Sequence, residues 1–208
     1  MQDTSTMRMA CEEREDFANF LDGLLPEQWE QPSLCELWRV RDVVAHVISY
    51  EELSRWQLVR RFAKGGLLPP RINAIGVAEY VERSPRQLTG LMRTCIPPRG
   101  LTSAFGGMIG LVDGMIHQQD IRRPLGIGRV IPPERLQRAL NIALHSPATR
   151  GARKVRGVRP IATDIDWAYG EGLEVSGLGE ALLMAMAARP DALHQLTGPG
   201  KALLAQRI

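Results

Sequence analysis

Cysteine is scarce in this chain of 208 residues. Cys11, Cys35 and Cys95 are an odd number at unrelated spacings, which excludes a disulfide framework and a CxxC metal knuckle. A reducing cytoplasm is the expected compartment. Long hydrophobic runs are missing too: no stretch approaches the roughly 18 consecutive apolar residues of a membrane helix, and the opening Met1-Gln2-Asp3 is not followed by the apolar core of a secretory signal. Neither sign of charge dominates. Twenty-six basic residues stand against 23 acidic ones, giving a formal net charge of +3 with both signs scattered, too mild for a nucleic-acid partner. The densest basic runs, 55–64 and 150–159, read as solvated faces or linkers. There is no internal repeat and no low-complexity tract.

What is present is helical periodicity over the first 148 residues. Phe17, Phe20, Leu21 and Leu24 give one apolar face to 12–25, and Val40, Val43, Val44, Val47 and Ile48, continued by Trp56, Val59 and Phe62, predict a helix over 40–63. Further helices are expected over 74–95, restarted at Ser84-Pro85, over 101–125, and from Pro132-Pro133 to His145. Beyond Gly151 the pattern changes to extended candidates at 155–163 and 173–175, then a helix over 179–189 and a short one over 191–196. The expected fold is mainly α: an antiparallel four-helix bundle over 1–149, joined through the basic segment 150–156 to a small α+β unit over 150–208. At 44% hydrophobic residues, the chain can bury a substantial core.

Two stretches carry chemistry: Trp38-Arg-Val-Arg-Asp-Val-Val-Ala-His46 and Asp113-Gly-Met-Ile-His117-Gln-Gln-Asp120. Residues four apart share a helix face, so Asp113 and His117 can offer a carboxylate oxygen and an imidazole nitrogen to one point, and His46 from a second helix would complete a divalent metal site. The competing reading makes His46 a core histidine bonded to a backbone carbonyl. The expected helix around Asp113 and His117 contains Gly106, Gly107, Gly110 and Gly114, each costing about 1 kcal/mol relative to Ala in a helix interior. Close approach of a neighbouring helix or open volume beside the ligands would account for them. Asp120 can orient His117, act as an alternative ligand, or pair with Arg122 or Arg123. His145 and His194 read as structural or exposed, and Cys35, a tempting nucleophile ahead of Trp38, reads as structural, since free cysteines are commonly buried packing residues.

These stretches, with Asp120-Ile-Arg-Arg-Pro-Leu-Gly126, Ala162-Thr-Asp-Ile-Asp-Trp167, Gly177-Leu-Gly-Glu-Ala-Leu-Leu183 and Ala188-Arg189-Pro190, resemble the mycothiol-dependent maleylpyruvate isomerase family, from about residue 8 to residue 206. The resemblance implies a DinB-like metal-binding four-helix bundle with His46, Asp113 and His117 as ligands. Asp113 stands where the archetypal isomerase has Glu, and Arg39 where the family usually has Thr or Ser. Two imidazoles and one carboxylate leave open positions on a zinc-like ion and suit nickel, manganese or iron as well. The implied cosubstrate is mycothiol, deprotonated at the metal, so that the thiolate and not a side chain is the expected nucleophile. It would add to a small electrophile and either leave again, giving an isomerase, or stay attached, giving a transferase. Arg189 matches a frequent Arg of the family's C-terminal unit and would meet an anionic substrate. Two other classes stay open: another metal-dependent hydrolase or transferase on the same bundle, and a bundle without catalysis that binds a ligand or partner. The protein is expected as a monomer or homodimer.

Overall fold

Helices α1 (Thr4–Asp22), α2 (Val40–Ile48), α5 (Pro85–Thr94) and α6 (Met108–Arg122) each bury an apolar stripe. In the computed structural model, which describes residues 4–208, α1 packs on α5 and α6, and α2 packs on the same two helices. This is the expected four-helix bundle. Phe17, Leu21, Val43, Val44, Val47, Leu88, Met92 and Ile121 form its apolar interior. Each such side chain contributes about 1.5–3 kcal/mol through burial. Trp29 closes one part of this core from the short 3₁₀ helix Pro26–Glu30.

Between α2 and α5 the chain departs from the expectation of one helix over 40–63. It stops at Ile48 and restarts as α3 (Arg55–Lys64), followed by α4 (Pro69–Ala78), which packs on α2 and α3. The restart has a local cause. Ser54 Oγ accepts from the Gln57 backbone N–H at 3.3 Å, and Gln57 Oε1 accepts from the Ser54 N–H at 2.9 Å, a reciprocal capping box. Trp56 and Val59 therefore do not extend the α2 stripe and are 83% and 59% exposed. The restart expected at Ser84-Pro85 is present, with Ser84 and Gln87 making the same reciprocal pair at the head of α5.

The expected helix over 101–125 is also divided. A 3₁₀ segment, Gly100–Gly107, contains non-helical backbone at Ala104, Phe105 and Gly106, and Gly107 at φ 88° precedes α6. Two of the four glycines thus lie outside the helix interior, where their positive φ is needed. Gly110 serves close packing, since a Cβ there would lie 3.1 Å from Pro98 Cγ and from the Thr102 carbonyl, whereas one at Gly114 would make an ordinary contact, 3.5 Å from Glu13 Cγ.

A buried ion pair ties these elements together. Arg14 Nη2 lies 2.6 Å from Glu51 Oε1, with both side chains fully excluded from solvent. Arg14 Nη1 donates to the Cys95 carbonyl at 2.8 Å, while Glu51 accepts from Thr102 Oγ1 at 2.5 Å and from the Arg99 N–H at 2.7 Å. One pair therefore joins α1, the turn after α2, the end of α5 and the 3₁₀ segment.

The chain divides after Gly128 into a second compact unit. This differs from the boundary expected at 149/150. The reason is α7 (Pro133–His145), whose buried Leu136, Ala139, Leu140, Ala143 and Leu144 form a face packed with α9 (Gly179–Met186) and α8 (Gly151–Lys154). Strands β1 (Val158–Ala162) and β2 (Leu173–Gly177) pair in parallel, Val158 opposite Leu173 and Ala162 opposite Gly177. Trp167, in the loop between them, donates Nε1–H to Asn141 Oδ1 of α7 at 2.8 Å. The segment expected as a linker is the helical turn α8, and α10 (Lys201–Ala205) follows the Gly198-Pro-Gly200 turn. Among the described residues, no helix is long and apolar enough to cross a membrane.

Removing one partner of a buried ion pair strands the other charge. Glu51→Gln should destabilise the protein by about 3–5 kcal/mol in urea unfolding, against about 1 kcal/mol for loss of the α3 cap in Ser54→Ala. Equal, small effects for both would remove the ion pair from its organising role.

Candidate metal centre

The first turns of α2 face away from solvent and its last turn brings His46 to the site. His46 is buried, its ring 5.0 Å from the Trp38 ring and tilted 42° to it, and edge-on to Tyr50 at 5.9 Å. From α6, Asp113 and His117 arrive on one face, one turn apart, as their spacing predicts. His117 Nε2 lies 3.5 Å from Asp113 Oδ1, and His46 Nε2 lies 3.9 Å from the same oxygen. The two imidazoles meet edge to face at 4.8 Å.

All three donors lie within 4.8 Å of one another. Bonds of 2.0–2.1 Å in a tetrahedral shell would set its ligand atoms roughly 3.3 Å apart. Two imidazole nitrogens and one carboxylate oxygen at this spacing therefore fit a divalent cation with small side-chain adjustments. Three protein donors would leave further positions on such a cation for other ligands.

Asp120 is fully buried, and its Oδ2 sits 2.9 Å from His117 Nδ1. This contact fixes the ring so that Nδ1–H points to the carboxylate and Nε2 is left for a metal, the arrangement by which outer carboxylates orient metal-binding histidines. Asp120 is thus placed to orient His117. Nearby, Arg122 covers the Phe20 ring at 3.9 Å and donates to the Gly128 carbonyl.

Cys35, read from sequence as structural, proves to be part of this network. Its thiol donates to Asp120 Oδ2 at 3.0 Å and lies 3.6 Å from His117 Nδ1. Cys35, His117 and Asp120 make a second convergent donor group that shares His117 with the first. A loop clasp puts the thiol there: the Leu34 N–H donates to the Asp120 carbonyl at 2.9 Å, and Ser33 Oγ donates to the Trp38 carbonyl at 2.8 Å. Cys35 stands only three residues before Trp38, a proximity to the first motif that was the available signal. Tyr50, held by Asn73 Oδ1 at 2.6 Å, is the other residue that motif reading missed.

Charge organises the centre. Burial alone would push the Asp113 carboxyl up, but His117, His46 and Arg14 hold it down at about 2. Burial alone would push the His117 imidazole down, yet Asp113, with hydrogen bonds to Asp113, Asp120 and Cys35, holds it well above the usual 6.5. Without metal, His117 is a cation between two carboxylates. Arg189 belongs to the second unit, where its Nη1 donates to the Ala187 carbonyl at 2.8 Å beyond the end of α9.

These shifts set a pH dependence for metal-free protein. The raised His117 contributes stability that is complete below 6.5 and is lost as pH rises through its folded value. The lowered Asp113 contributes above 3.8, and that part is lost as pH falls toward about 2. Urea midpoints of metal-free protein should decline as pH rises above 6.5, and His117→Gln should flatten that decline. The same alkaline decline in both proteins would contradict the charge assignment.

Residues 10–99 match the model of the mycothiol maleylpyruvate isomerase N-terminal domain family. The matched stretch holds His46 and ends before Asp113. No significant match is found among curated proteins. Two solved structures share the fold, a mycothiol-dependent maleylpyruvate isomerase and its histidine-to-alanine mutant. Each has 15% identity and a TM-score of 0.61, with 95% of this chain and 92% of the other covered. The chain is thus similar in sequence over residues 10–99 to the mycothiol maleylpyruvate isomerase N-terminal domain family, and carries the fold of the mycothiol-dependent maleylpyruvate isomerase over 95% of its length.

Proposed function

We propose that this protein is a mycothiol-dependent enzyme acting on a small electrophile, with a divalent metal held by His46, Asp113 and His117. The observation that carries the reading is the convergence of those three donors beside Asp120, which holds the far nitrogen of His117 at 2.9 Å. When bound, the cation would supply positive charge that favours the thiolate form of the cosubstrate at neutral pH. The protein's own residues do the rest. His46 and His117 present neutral nitrogens from two helices, Asp113 offsets only part of a divalent charge, and Asp120 keeps the His117 tautomer fixed. Trp38 and Tyr50 set aromatic rings against His46, which is itself buried.

Isomerisation is the favoured outcome, because both shared structures are of an isomerase and the family model describes one. A conjugated alkene that gains a thiolate acquires a single bond free to rotate, and loss of the same thiolate restores the alkene in the other geometry. Arg189 is the proposed contact for an anionic substrate. The metal is proposed as zinc and the compartment as the cytoplasm.

His117→Ala should lose most of the bound metal, from near one equivalent, while keeping its helical circular-dichroism signal; undiminished metal content would sink the ligand assignment. Asp113→Glu should keep the metal. Asp120→Asn should weaken metal binding by about 10–100-fold without abolishing it. Turnover of a conjugated cis-alkene by wild type should require both metal and mycothiol. Turnover with metal but without any thiol would replace this reading with that of a metal-dependent hydrolase or transferase.

A further inference from the structure

The second unit contains a pocket of about 460 Å³ lined by Arg150, Arg153, Lys154, Arg156 and Arg207. Every one of these five side chains is cationic. Among the described residues, none of them pairs with a carboxylate. Like charges gathered around a concavity repel one another, and such an arrangement is disfavoured unless an anion relieves it.

The local fold holds the cluster in place. Gly151 is pressed against α7, where a Cβ would lie 2.6 Å from the Ala143 carbonyl, so this turn cannot relax outward. Thr149 Oγ1 donates to that same carbonyl at 2.5 Å. Arg150 adopts φ 52°, a conformation unusual for a side-chain-bearing residue, and opens α8. Arg153 and Lys154 follow within one turn. Lys154 Nζ is anchored by the Thr149 carbonyl at 2.7 Å and the Met186 carbonyl at 2.8 Å, which leaves one of its three N–H donors for another acceptor. Arg207 reaches the pocket from beyond α10, and its Nη1 is out of solvent with no protein acceptor. Burial, with Arg189 and Arg150 nearby, also pulls the Lys154 ammonium below its ordinary value, as expected for a cation among cations.

We infer that this pocket binds a small multivalent oxyanion, a molecule bearing two or more phosphate or carboxylate groups, through the guanidinium groups of Arg150, Arg153, Arg156 and Arg207 and the ammonium of Lys154. Guanidinium forks match the paired oxygens of both groups, and the volume suits a small molecule. The site is formed wholly by the second unit and uses none of the three proposed metal ligands, so it stands or falls independently of the thiol chemistry.

Titration calorimetry on metal-free full-length protein, with inorganic pyrophosphate and citrate as separate probes, tests the inference. Metal-free protein is used because both probes chelate cations. At least one probe should bind saturably at one site per chain, and which binds more tightly separates a phosphate-bearing from a carboxylate-bearing ligand. The exposed pair Arg153→Glu/Arg156→Glu should weaken that binding by at least about tenfold, with the melting temperature and metal uptake unchanged. Arg207→Gln should weaken it as well, which a merely superficial charge effect would not produce. No saturable binding of either probe, or equal binding by the charge-reversed protein, would overturn the inference. Tighter retention of duplex DNA than of either probe, abolished by the same double substitution, would overturn the assignment to a small molecule.

Discussion

The ion pair of Arg14 and Glu51 is the constraint on which the bundle and its candidate metal centre both rest. A salt bridge excluded from water is expensive to form, and it persists only where further hydrogen bonds satisfy both partners. Here the hydroxyl of Thr102 and the Arg99 N–H satisfy Glu51, and the carbonyl of Cys95 takes the Nη1 donor of Arg14 while its Nε stays buried without an acceptor among the described residues. The arrangement connects four segments distant in sequence. It fixes the turn that ends α2, and so the last helical turn that carries His46. It also fixes the 3₁₀ segment that feeds α6, and so the register of Asp113 and His117. Arg14 adds positive charge near Asp113 and helps keep that carboxyl ionised.

The convergence of the three candidate metal donors was largely legible in the sequence because helical geometry is local. Asp113 and His117 are four residues apart, and no tertiary information is needed to place them on one face. His46 needed a second helix, and the motif beginning at Trp38 supplied it. Cys35 was legible only through its nearness to Trp38, because a loop clasp that includes a backbone hydrogen bond from Leu34 to Asp120, across 86 positions of sequence, brings its thiol to the network. Asp120 was legible as a neighbour of His117, while its complete burial depends on that same loop.

Elsewhere, periodicity overran real boundaries. The apolar spacing of 40–63 continues through Trp56 and Val59 although the helix does not, and the Ser54 to Gln57 capping box was the overriding local signal. The glycines of 106–114 were counted as one helical set, but Gly106 and Gly107 make a left-handed turn and Gly110 allows close packing. Helix α7 carries an apolar face that suits either unit, and its contacts with α9 and α8 assign it. The basic run 150–156 shows no apolar pattern, so sequence could not distinguish a solvated linker from the wall of a pocket.

The centre joins a donor set supplied by two helices to a carboxylate that orients one donor from behind. A thiol supplied from outside would have to enter the open positions while the internal thiol of Cys35 remains hydrogen-bonded to Asp120. X-ray absorption at the zinc edge of zinc-loaded protein, before and after addition of mycothiol, addresses that arrangement directly. Nitrogen and oxygen neighbours alone should surround zinc at first, and one sulfur at about 2.3 Å should join them when mycothiol is added. Sulfur before any thiol is added would put Cys35 in the coordination shell, and no sulfur after addition would contradict thiol activation at this centre.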